Sequence, residues 1–300
     1  MNILITGANG FLGSSLLHCL VESKKADDCI WLLTSKQVQG FNCILHREYG
    51  FTKGDFYRAG LRQIDCLIHM GSAVPKTREE FGTESVYKYS RNVINTAYLM
   101  RNIPSTPKHV VYISSVSVYK DEQYISEETE YQIEDMYGAS KLMCEAFLKV
   151  DSEKRGYRLH ILRLGQLYGE GEETYSKIVS SFVKTALSDK PICIFGTGDE
   201  KRTMLHVEDC AKYILQSIEL KELFSVVNVT GSKEITVKQI AELVFQSLGK
   251  ETNIVFDRRK TGSSITYNTE KMEKVFDLCQ KSYEEGIEDY CRYYLKLLEG

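Results

Sequence analysis

The sequence has little of several features, and each scarcity excludes a class of protein. Only 4 prolines occur in 300 residues, so no proline-rich linker marks a domain boundary. No window approaches about 18 uncharged apolar residues, the length that a membrane-spanning helix needs. The net charge of -3 gives no basic excess, which argues against a nucleic-acid-binding protein. The remainder, 43% hydrophobic and 26% charged, is typical of an ordinary globular chain.

The sequence also lacks patterned cysteines. The 9 cysteines are scattered, odd in number and without CxxC spacing, which indicates reduced and mostly buried thiols. No cluster of His, Cys and Asp has the spacing of metal ligands, so we predict no metal site. The amino-terminal residues show no basic region followed by an apolar run. We therefore expect a cytoplasmic protein with no membrane partner.

Strand and helix patterns alternate through the first half of the chain. Apolar runs of strand length occur at 2–6, 29–33, 65–70, 109–114 and 159–164, separated by segments with helical periodicity. Each run is apolar at nearly every position, as expected of strands covered on both faces. The pattern predicts an α/β fold with a doubly wound parallel sheet, which binds ligands at the carboxyl ends of its strands.

The alternation of strand and helix patterns ends after residue 164. Turn signals at 168–171 and 196–198 surround one helical stretch at 175–187. We therefore predict a first domain over 1–164, which a strand near 224–229 rejoins. Residues 165–300 would mainly form a smaller carboxyl-terminal α/β domain.

A glycine-rich turn lies between the first strand and the first helix. Gly7 allows a tight turn, Gly10 lets backbone amides approach a pyrophosphate, and Gly13 permits close packing of helix on strand. The spacing is GxxGxxG, and the strand-turn-helix setting is that of a Rossmann dinucleotide site. The predicted cofactor turn comprises Gly7, Asn9, Gly10, Phe11, Leu12 and Gly13.

The end of the second strand bears on which nicotinamide cofactor is bound. An acidic residue there accepts a hydrogen bond from the adenosine ribose, but this chain has Thr34, Ser35 and Lys36. Small hydroxyls and a cation suit a 2'-phosphate, so we predict NADP(H) over NAD(H), which stays possible. The alternative is that Lys36 is a solvated loop lysine.

Two further segments are candidate cofactor contacts. Asp55 and Phe56, after the third short strand, would cap the adenine with a hydrogen bond and an apolar ring contact. Gly71, Ser72 and Ala73 end the fourth strand, where small residues would leave room for the cofactor. Both segments could instead be purely structural.

A tyrosine and a lysine four residues apart suggest proton transfer. In a helix Tyr137 and Lys141 would share one face, and a neighbouring ammonium pulls a phenol pKa toward working pH. The pair would suit proton exchange with a carbonyl or carbinol oxygen. The same spacing occurs at 49–53 and 267–271, so the spacing alone does not choose among the three.

Taken together, these motifs resemble the extended short-chain dehydrogenase/reductase family, the NAD(P)-dependent epimerase/dehydratase group. The resemblance covers nearly the whole chain in the correct order. The matching segments are residues 6–13, 69–73, Asn92, 114–119, 137–141, 202–209 and 284–288.

The resemblance assigns roles within the chain. It selects Tyr137 as the proton donor, Ser115 as the hydroxyl that binds the reacting oxygen, and Lys141 as the residue that holds the nicotinamide ribose. Arg202 matches an arginine that often contacts the diphosphate of a nucleotide-sugar. Gln166 stands at a position usually held by asparagine and could still offer an amide to the substrate.

Together with the predicted NADP(H) site, the resemblance implies an enzyme that uses NADPH to reduce the keto group of a nucleotide-linked 4-keto-6-deoxy sugar. Dehydratases of the group carry an Asp-Glu pair where this chain has Val116 and Ser117, so dehydration is not expected. The main alternative is a nucleotide-sugar epimerase with the same residues. A non-catalytic dinucleotide-binding protein is a lesser alternative. Relatives often form homodimers through the helices that carry Asn92 and Tyr137.

Overall fold

The computed structural model describes residues 1–23, 28–77, 85–120, 122–259 and 262–299. They divide into two compact units. The first takes its residues from 1–120, 130–164 and 211–227, and the second from 121–129, 165–210 and 228–300.

Strands and helices alternate through the described residues. The strands are β1 (Asn2–Thr6), β2 (Cys29–Thr34), β3 (Asn42–Leu45), β4 (Cys66–His69), β5 (His109–Ser115), β6 (Tyr124–Ile125), β7 (Arg158–Leu164), β8 (Gln166–Tyr168), β9 (Ile192–Phe195), β10 (Lys201–Arg202), β11 (Met204–His206), β12 (Phe224–Val229), β13 (Ile235–Thr236), β14 (Ile254–Asp257) and β15 (Thr266–Tyr267). The helices are α1 (Phe11–Ser23), α2 (Lys53–Ala59), α3 (Val86–Asn102), α4 (Met136–Arg155), α5 (Ile178–Leu187), α6 (Val207–Ser217), α7 (Val237–Ser247), α8 (Glu270–Val275) and α9 (Tyr283–Glu299).

A seven-stranded sheet organises the described part of the first unit. Its strand order is β12-β7-β5-β4-β1-β2-β3. The neighbouring pairs from β7 to β3 are parallel. The order reverses beside β1, since the chain moves from β1 to β2 and β3 on one side and to β4 and β5 on the other. This reversal is the ligand-binding point of a doubly wound sheet. The predicted α/β fold class is confirmed.

The core explains why these segments form strands. Leu4, Leu67, Val110 and Leu159, each from a different strand of the sheet, are 0% exposed. All four residues of β4 and all seven of β5 are buried, as their largely apolar runs predict for strands covered on both faces. The sheet therefore provides a rigid platform on which the chain places its polar residues at the strand ends.

The first unit is discontinuous in sequence. Residues 211–227, most of α6 and the beginning of β12, belong to it, although they follow the predicted boundary at 164. β12 lies at the edge of the sheet beside β7, where Leu159 donates its backbone N–H to the Leu223 carbonyl at 2.9 Å.

The second unit is built from short strand pairs and helices. Its pairs are β8 with β11, β9 with β14 and β6 with β15, all parallel, and β10 with β13, antiparallel. Its core includes Val183 of α5, Ile240 and Val244 of α7 and Ile287 of α9, all 0% exposed. Across both units, every helix in the described residues is too short or too polar to span a bilayer.

Candidate active site

The glycine turn joins β1 to α1 and packs against the end of β4. Gly7 has φ +80°, and a Cβ there would lie 2.8 Å from the Gly71 nitrogen. A Cβ at Gly13 would collide with the carbonyl oxygens of Gly7 and Ala8. The first amides of a helix have no intrahelical acceptor, so the start of α1 presents N–H groups to an anion. The cradle therefore fits a dinucleotide pyrophosphate.

The end of β2 is tied to this turn by a side-chain hydrogen bond. Asn9 Nδ2 donates to Thr34 Oγ1 at 2.5 Å, and the same hydroxyl donates to the Lys36 carbonyl at 3.2 Å. Thr34 is buried, whereas Ser35 and Lys36 are exposed. Thr34 therefore shapes the turn, and the other two side chains remain accessible to a ligand.

The prediction that Asp55 and Phe56 cap an adenine needs correction for Phe56. The Phe56 ring is 0% exposed and packs in the core, so it has no free face for a ligand. Asp55 lies in the first turn of α2, where its carboxylate accepts the Thr52 backbone N–H at 2.7 Å in a capping box. That hydrogen bond holds the pKa of Asp55 below its ordinary value.

Asn92 of α3 forms hydrogen bonds with the segment after β4 and with α4. Asn92 Oδ1 accepts the Ala73 N–H at 2.7 Å, and Nδ2 donates to the Ala73 carbonyl at 3.1 Å. Nδ2 also donates to Ser140 Oγ of α4 at 3.0 Å. One buried amide thus fixes Gly71, Ser72 and Ala73 relative to the helix that carries the predicted tyrosine and lysine.

A buried polar chain links the glycine turn to the same helices. Thr6 Oγ1 lies 2.7 Å from His69 Nδ1, and His69 Nε2 lies 2.9 Å from Thr96 Oγ1. Thr96 then donates to the Asn92 carbonyl at 2.8 Å. Burial, and secondarily the Lys141 charge, lower the pKa of His69 to about 3, so the ring is neutral at pH 7. The sequence analysis included His69 only as part of a segment that matches the family, without a role, and it did not name Thr96, because a buried polar residue on a helix carries no spacing signal.

Lys141 is buried beneath the site, and its ammonium makes two hydrogen bonds. Its side chain is 2% exposed, and Nζ donates to Ser72 Oγ and to the Ile113 carbonyl, both at 2.8 Å. Burial lowers the pKa of Lys141 to about 8, against an opposing effect of Cys144 and Glu145. The lysine therefore titrates close to working pH.

Tyr137 sits in the first turn of α4, above that ammonium. Lys141 Nζ lies 5.8 Å from the centroid of the Tyr137 ring. Asp135 caps the helix by accepting the Gly138 N–H at 2.7 Å, which fixes the turn that presents the phenol. The tyrosine is half-buried, so it is accessible to a substrate while resting over a buried cation.

Ser115 ends β5, two residues after the carbonyl that holds Lys141. Its Oγ accepts the Ser117 N–H at 3.2 Å and begins a 3-10 turn over Val116–Val118. A Cβ at Gly138 would collide with the Ser117 carbonyl oxygen, so the start of α4 packs directly on this turn. The structure thus places the catalytic candidates Ser115, Tyr137 and Lys141 on two elements in direct contact.

The structure also separates this pair from the two other pairs with the same spacing. Residue 49 precedes α2, which begins at Lys53, and residue 267 ends β15 before α8 begins at Glu270. Neither pair shares a helix, so neither has the one-turn stacking that the chemistry needs.

The substrate candidates Gln166 and Arg202 belong to the second unit. Gln166 begins β8 opposite Met204. Arg202 Nη1 donates to the Lys201 carbonyl at 2.8 Å and to the Ser263 carbonyl. In the described ranges, no group of three or more His, Cys, Asp and Glu residues is arranged to hold a metal ion.

A family comparison agrees with this arrangement. The family model described as NAD dependent epimerase/dehydratase family matches residues 3–229, which include the whole glycine turn and the Tyr137 helix. The chain belongs to this family. It is therefore an enzyme of the extended short-chain dehydrogenase/reductase group, as the resemblance implied.

Individual proteins resemble the chain over most or all of its length. An uncharacterised UDP-glucose epimerase of Bacillus subtilis is 28% identical, with 100% of both chains covered. A dTDP-4-dehydro-6-deoxyglucose reductase of Escherichia coli is 24% identical over 85% of this chain and 84% of its own. The crystal structure of a UDP-glucuronic acid 4-epimerase from Bacillus cereus, with UDP-glucuronic acid and NAD, superposes with a TM-score of 0.82 at 21% identity over 99% and 100% of the chains, which shows the shared fold.

Proposed function

We propose that the enzyme reduces the keto group of a nucleotide-linked 4-keto-6-deoxy sugar, with NADPH as the reductant and Tyr137 as the proton donor. The observation that carries this proposal is the buried Lys141 ammonium, held by Ser72 and Ile113 beneath the accessible Tyr137 ring. A cation fixed there stabilises the phenolate that remains after proton transfer.

The three residues have different tasks. Ser115 donates a hydrogen bond to the carbonyl oxygen, Tyr137 gives that oxygen a proton, and Lys141 keeps the resulting phenolate charge balanced. The bound NADPH would supply the hydride that completes the secondary alcohol. The start of α1 at Gly10 to Gly13 would hold its pyrophosphate, and Lys141 would also reach its nicotinamide ribose.

The preference for NADPH rests on the end of β2. Its exposed side chains are Ser35 and Lys36, and residues 34–36 include no carboxylate that would bind a ribose diol and repel a 2'-phosphate. The family is named for NAD. We therefore propose that this member differs from the family in the part of the cofactor site that would bind the 2'-phosphate of NADPH.

The choice of a nucleotide-sugar rests on the relatives and on two side chains of the second unit. Reductases of dTDP-linked 4-keto-6-deoxy sugars are among the proteins that the chain resembles. We assign cofactor binding to the first unit and substrate binding mainly to the second, with the Arg202 guanidinium on the diphosphate and the Gln166 amide on the sugar.

A nucleotide-sugar epimerase is the second candidate. The observation that favours it is the identity of the relatives, which include a UDP-glucose epimerase and several 4-epimerase structures. An epimerase would use the same three residues for a transient oxidation and would consume no net cofactor.

One experiment separates the two candidates. The purified enzyme is incubated with NADPH and a panel of 4-keto sugars linked to UDP, dTDP, GDP and CDP, and separately with NAD⁺ or NADP⁺ and the corresponding 4-hydroxy sugars. We expect stoichiometric NADPH oxidation with one keto sugar. Inversion of a 4-hydroxy sugar without net reduction of the added NAD⁺ or NADP⁺ would instead establish the epimerase.

We also propose a cytoplasmic homodimer formed through α3 and α4. Both helices expose apolar side chains at helical spacing, Ile94 (62%) and Tyr98 (37%) on α3, Met143 (58%) and Val150 (50%) on α4. Such stripes are typical of helix-helix interfaces. Light scattering should give twice the chain mass for the wild type, and Ile94→Asp with Met143→Asp should give a monomer.

A further inference from the structure

A buried ion pair lies one turn away from the proposed proton-transfer pair. Arg163 of β7 is 2% exposed and Glu145 of α4 is 5% exposed. Arg163 Nη2 lies 2.6 Å from Glu145 Oε2, and Arg163 Nε donates to Oε1 at 3.0 Å. Such two-pronged pairs have a fixed geometry. Because desolvation offsets most of the attraction, a buried pair contributes more to positioning than to stability.

Glu145 joins α4 to the end of β5. It lies four residues after Lys141 on the same helix, and its carboxylate also accepts the hydroxyl hydrogen of Ser114. Ser114 directly precedes Ser115 on β5. One carboxylate thus links the helix of the proposed proton donor to the strand of the proposed oxygen-binding serine.

Arg163 extends the same network to the segment that leads into α4. Its Nη1 donates to the Tyr119 hydroxyl at 2.7 Å, and its Nη2 donates to the Tyr131 hydroxyl at 3.0 Å. The guanidinium carbon also lies 4.8 Å and 4.9 Å from the two ring centroids. Tyr119 and Tyr131 pair with each other across an antiparallel bridge. Arg163 therefore fixes both sides of the segment that precedes Tyr137.

We propose that Glu145 and Arg163 are positioning residues of the active site, which lock the helix carrying Tyr137 and Lys141 onto the strand carrying Ser115. The inference rests on the proposed function, since it concerns the same proton-transfer site. The pair contacts Ser114, Tyr119 and Tyr131, and it acts on the reaction through the placement and charge of the catalytic side chains.

The charge of Glu145 gives this role a signature that a purely structural pair would not have. The titratable groups around Lys141 are His69 on β4, Tyr112 on β5, and Tyr137, Cys144 and Glu145 on α4. The pKa of His69 is about 3 and burial raises the pKa of Tyr112, so both are neutral at pH 7. Glu145 supplies a negative charge that favours the Lys141 ammonium, so neutralising it should lower the pKa of Lys141 further from about 8.

The test follows Lys141 directly and needs no substrate. The protein is labelled with ¹⁵N-lysine, the Lys141 side-chain signal is assigned by its loss in Lys141→Met, and it is titrated with pH. In Glu145→Gln we expect the midpoint to fall by on the order of one pH unit. With the cognate substrate, turnover should fall by about tenfold to a hundredfold, because small misplacements of reacting groups have effects of that size.

Two further variants keep the test decisive. Arg155→Gln breaks the Arg155–Asp151 pair on the same helix, 3.3 Å apart, and should leave the Lys141 midpoint unchanged. Glu145→Leu combined with Arg163→Met removes both buried charges, so no unpaired charge is left to destabilise the fold. We expect this double variant also to lower the midpoint of the Lys141 titration. An unchanged Lys141 midpoint in folded Glu145→Gln or in the double variant overturns the inference. Absence of any nucleotide-sugar turnover would count against the proposed function alone, because the titration does not depend on it.

Discussion

The ammonium nitrogen of Lys141 lies 5.8 Å from the ring centroid of Tyr137, and the lysine side chain is 2% exposed. The same nitrogen donates to Ser72, in the predicted cofactor segment after β4, and to Ile113, two residues before Ser115. One buried cation thus connects the cofactor segment, the oxygen-binding strand and the proton donor.

The titration of Lys141 should appear in the stability of the cofactor-free protein. Its pKa is lowered from 10.5 to about 8 in the folded state. Between these values the unfolded chain binds a proton that the folded chain lacks, so the free energy of unfolding rises with pH through this window, by at most about 1.4 kcal/mol per pH unit. Below about pH 8 both states are protonated and this contribution is constant.

Urea unfolding of the wild type and of Lys141→Met across the same window isolates that contribution, because other groups titrate alike in both proteins. We expect the free energy of unfolding to rise more steeply with pH in the wild type than in Lys141→Met. Parallel curves would show that the buried lysine keeps an ordinary pKa.

The glycine turn should tolerate no side chain at its third glycine. A Cβ at Gly13 would collide with the backbone oxygens of Gly7 and Ala8, so Gly13→Ala should lose cofactor binding and about 1–3 kcal/mol of stability. Gly54→Ala in α2 is the matched control, because its nearest atoms lie at 3.4 Å and alanine favours a helix. Fluorescence titration with NADPH and thermal unfolding check both. If Gly13→Ala kept the wild-type affinity for NADPH, the glycine turn would not be part of the cofactor site.

The cofactor preference should depend on the exposed lysine after β2. Lys36→Ala should weaken NADPH binding by about tenfold, through loss of a charge-assisted contact, and leave NADH binding unchanged. Lys271→Ala, an exposed lysine of α8, is the control for a general change in charge. Calorimetric titration with both cofactors measures the ratio. Equal effects on NADPH and NADH would contradict a 2'-phosphate contact at Lys36.

The sequence predicted the sheet because most of its strands are covered on both faces and are therefore apolar at nearly every position. It predicted less well where a residue's surroundings come from distant segments. Phe56 follows a short strand, as an adenine contact would, yet the α2 helix turns its ring into the core. Residues 211–227 belong to the first unit. The strand predicted near 224–229 covers the β12 part of that return, whereas no composition change marks the α6 part.

The candidate site shows the same limit. The Tyr137–Lys141 spacing had two equals in the sequence, and spacing alone did not choose among them. The family resemblance selected Tyr137, and the continuous α4 helix gives the physical reason. Glu145 and Arg163, 18 residues apart, carry no spacing signal, since their contact depends on how α4 packs on β7. Local patterns predict elements and turns, whereas buried polar partners are set by the tertiary fold.

The most direct test of the central claim, that Tyr137 protonates the oxygen of a reduced sugar carbonyl, is turnover by Tyr137→Phe beside the wild type. Deuterium-labelled NADPH and the cognate 4-keto nucleotide-sugar are supplied, and deuterium at the sugar carbon is measured by mass spectrometry. We predict transfer by the wild type and by Tyr267→Phe, the tyrosine with the same lysine spacing, and a loss of about 10²- to 10⁴-fold in Tyr137→Phe with NADPH affinity retained. Wild-type transfer rates in Tyr137→Phe would contradict the account.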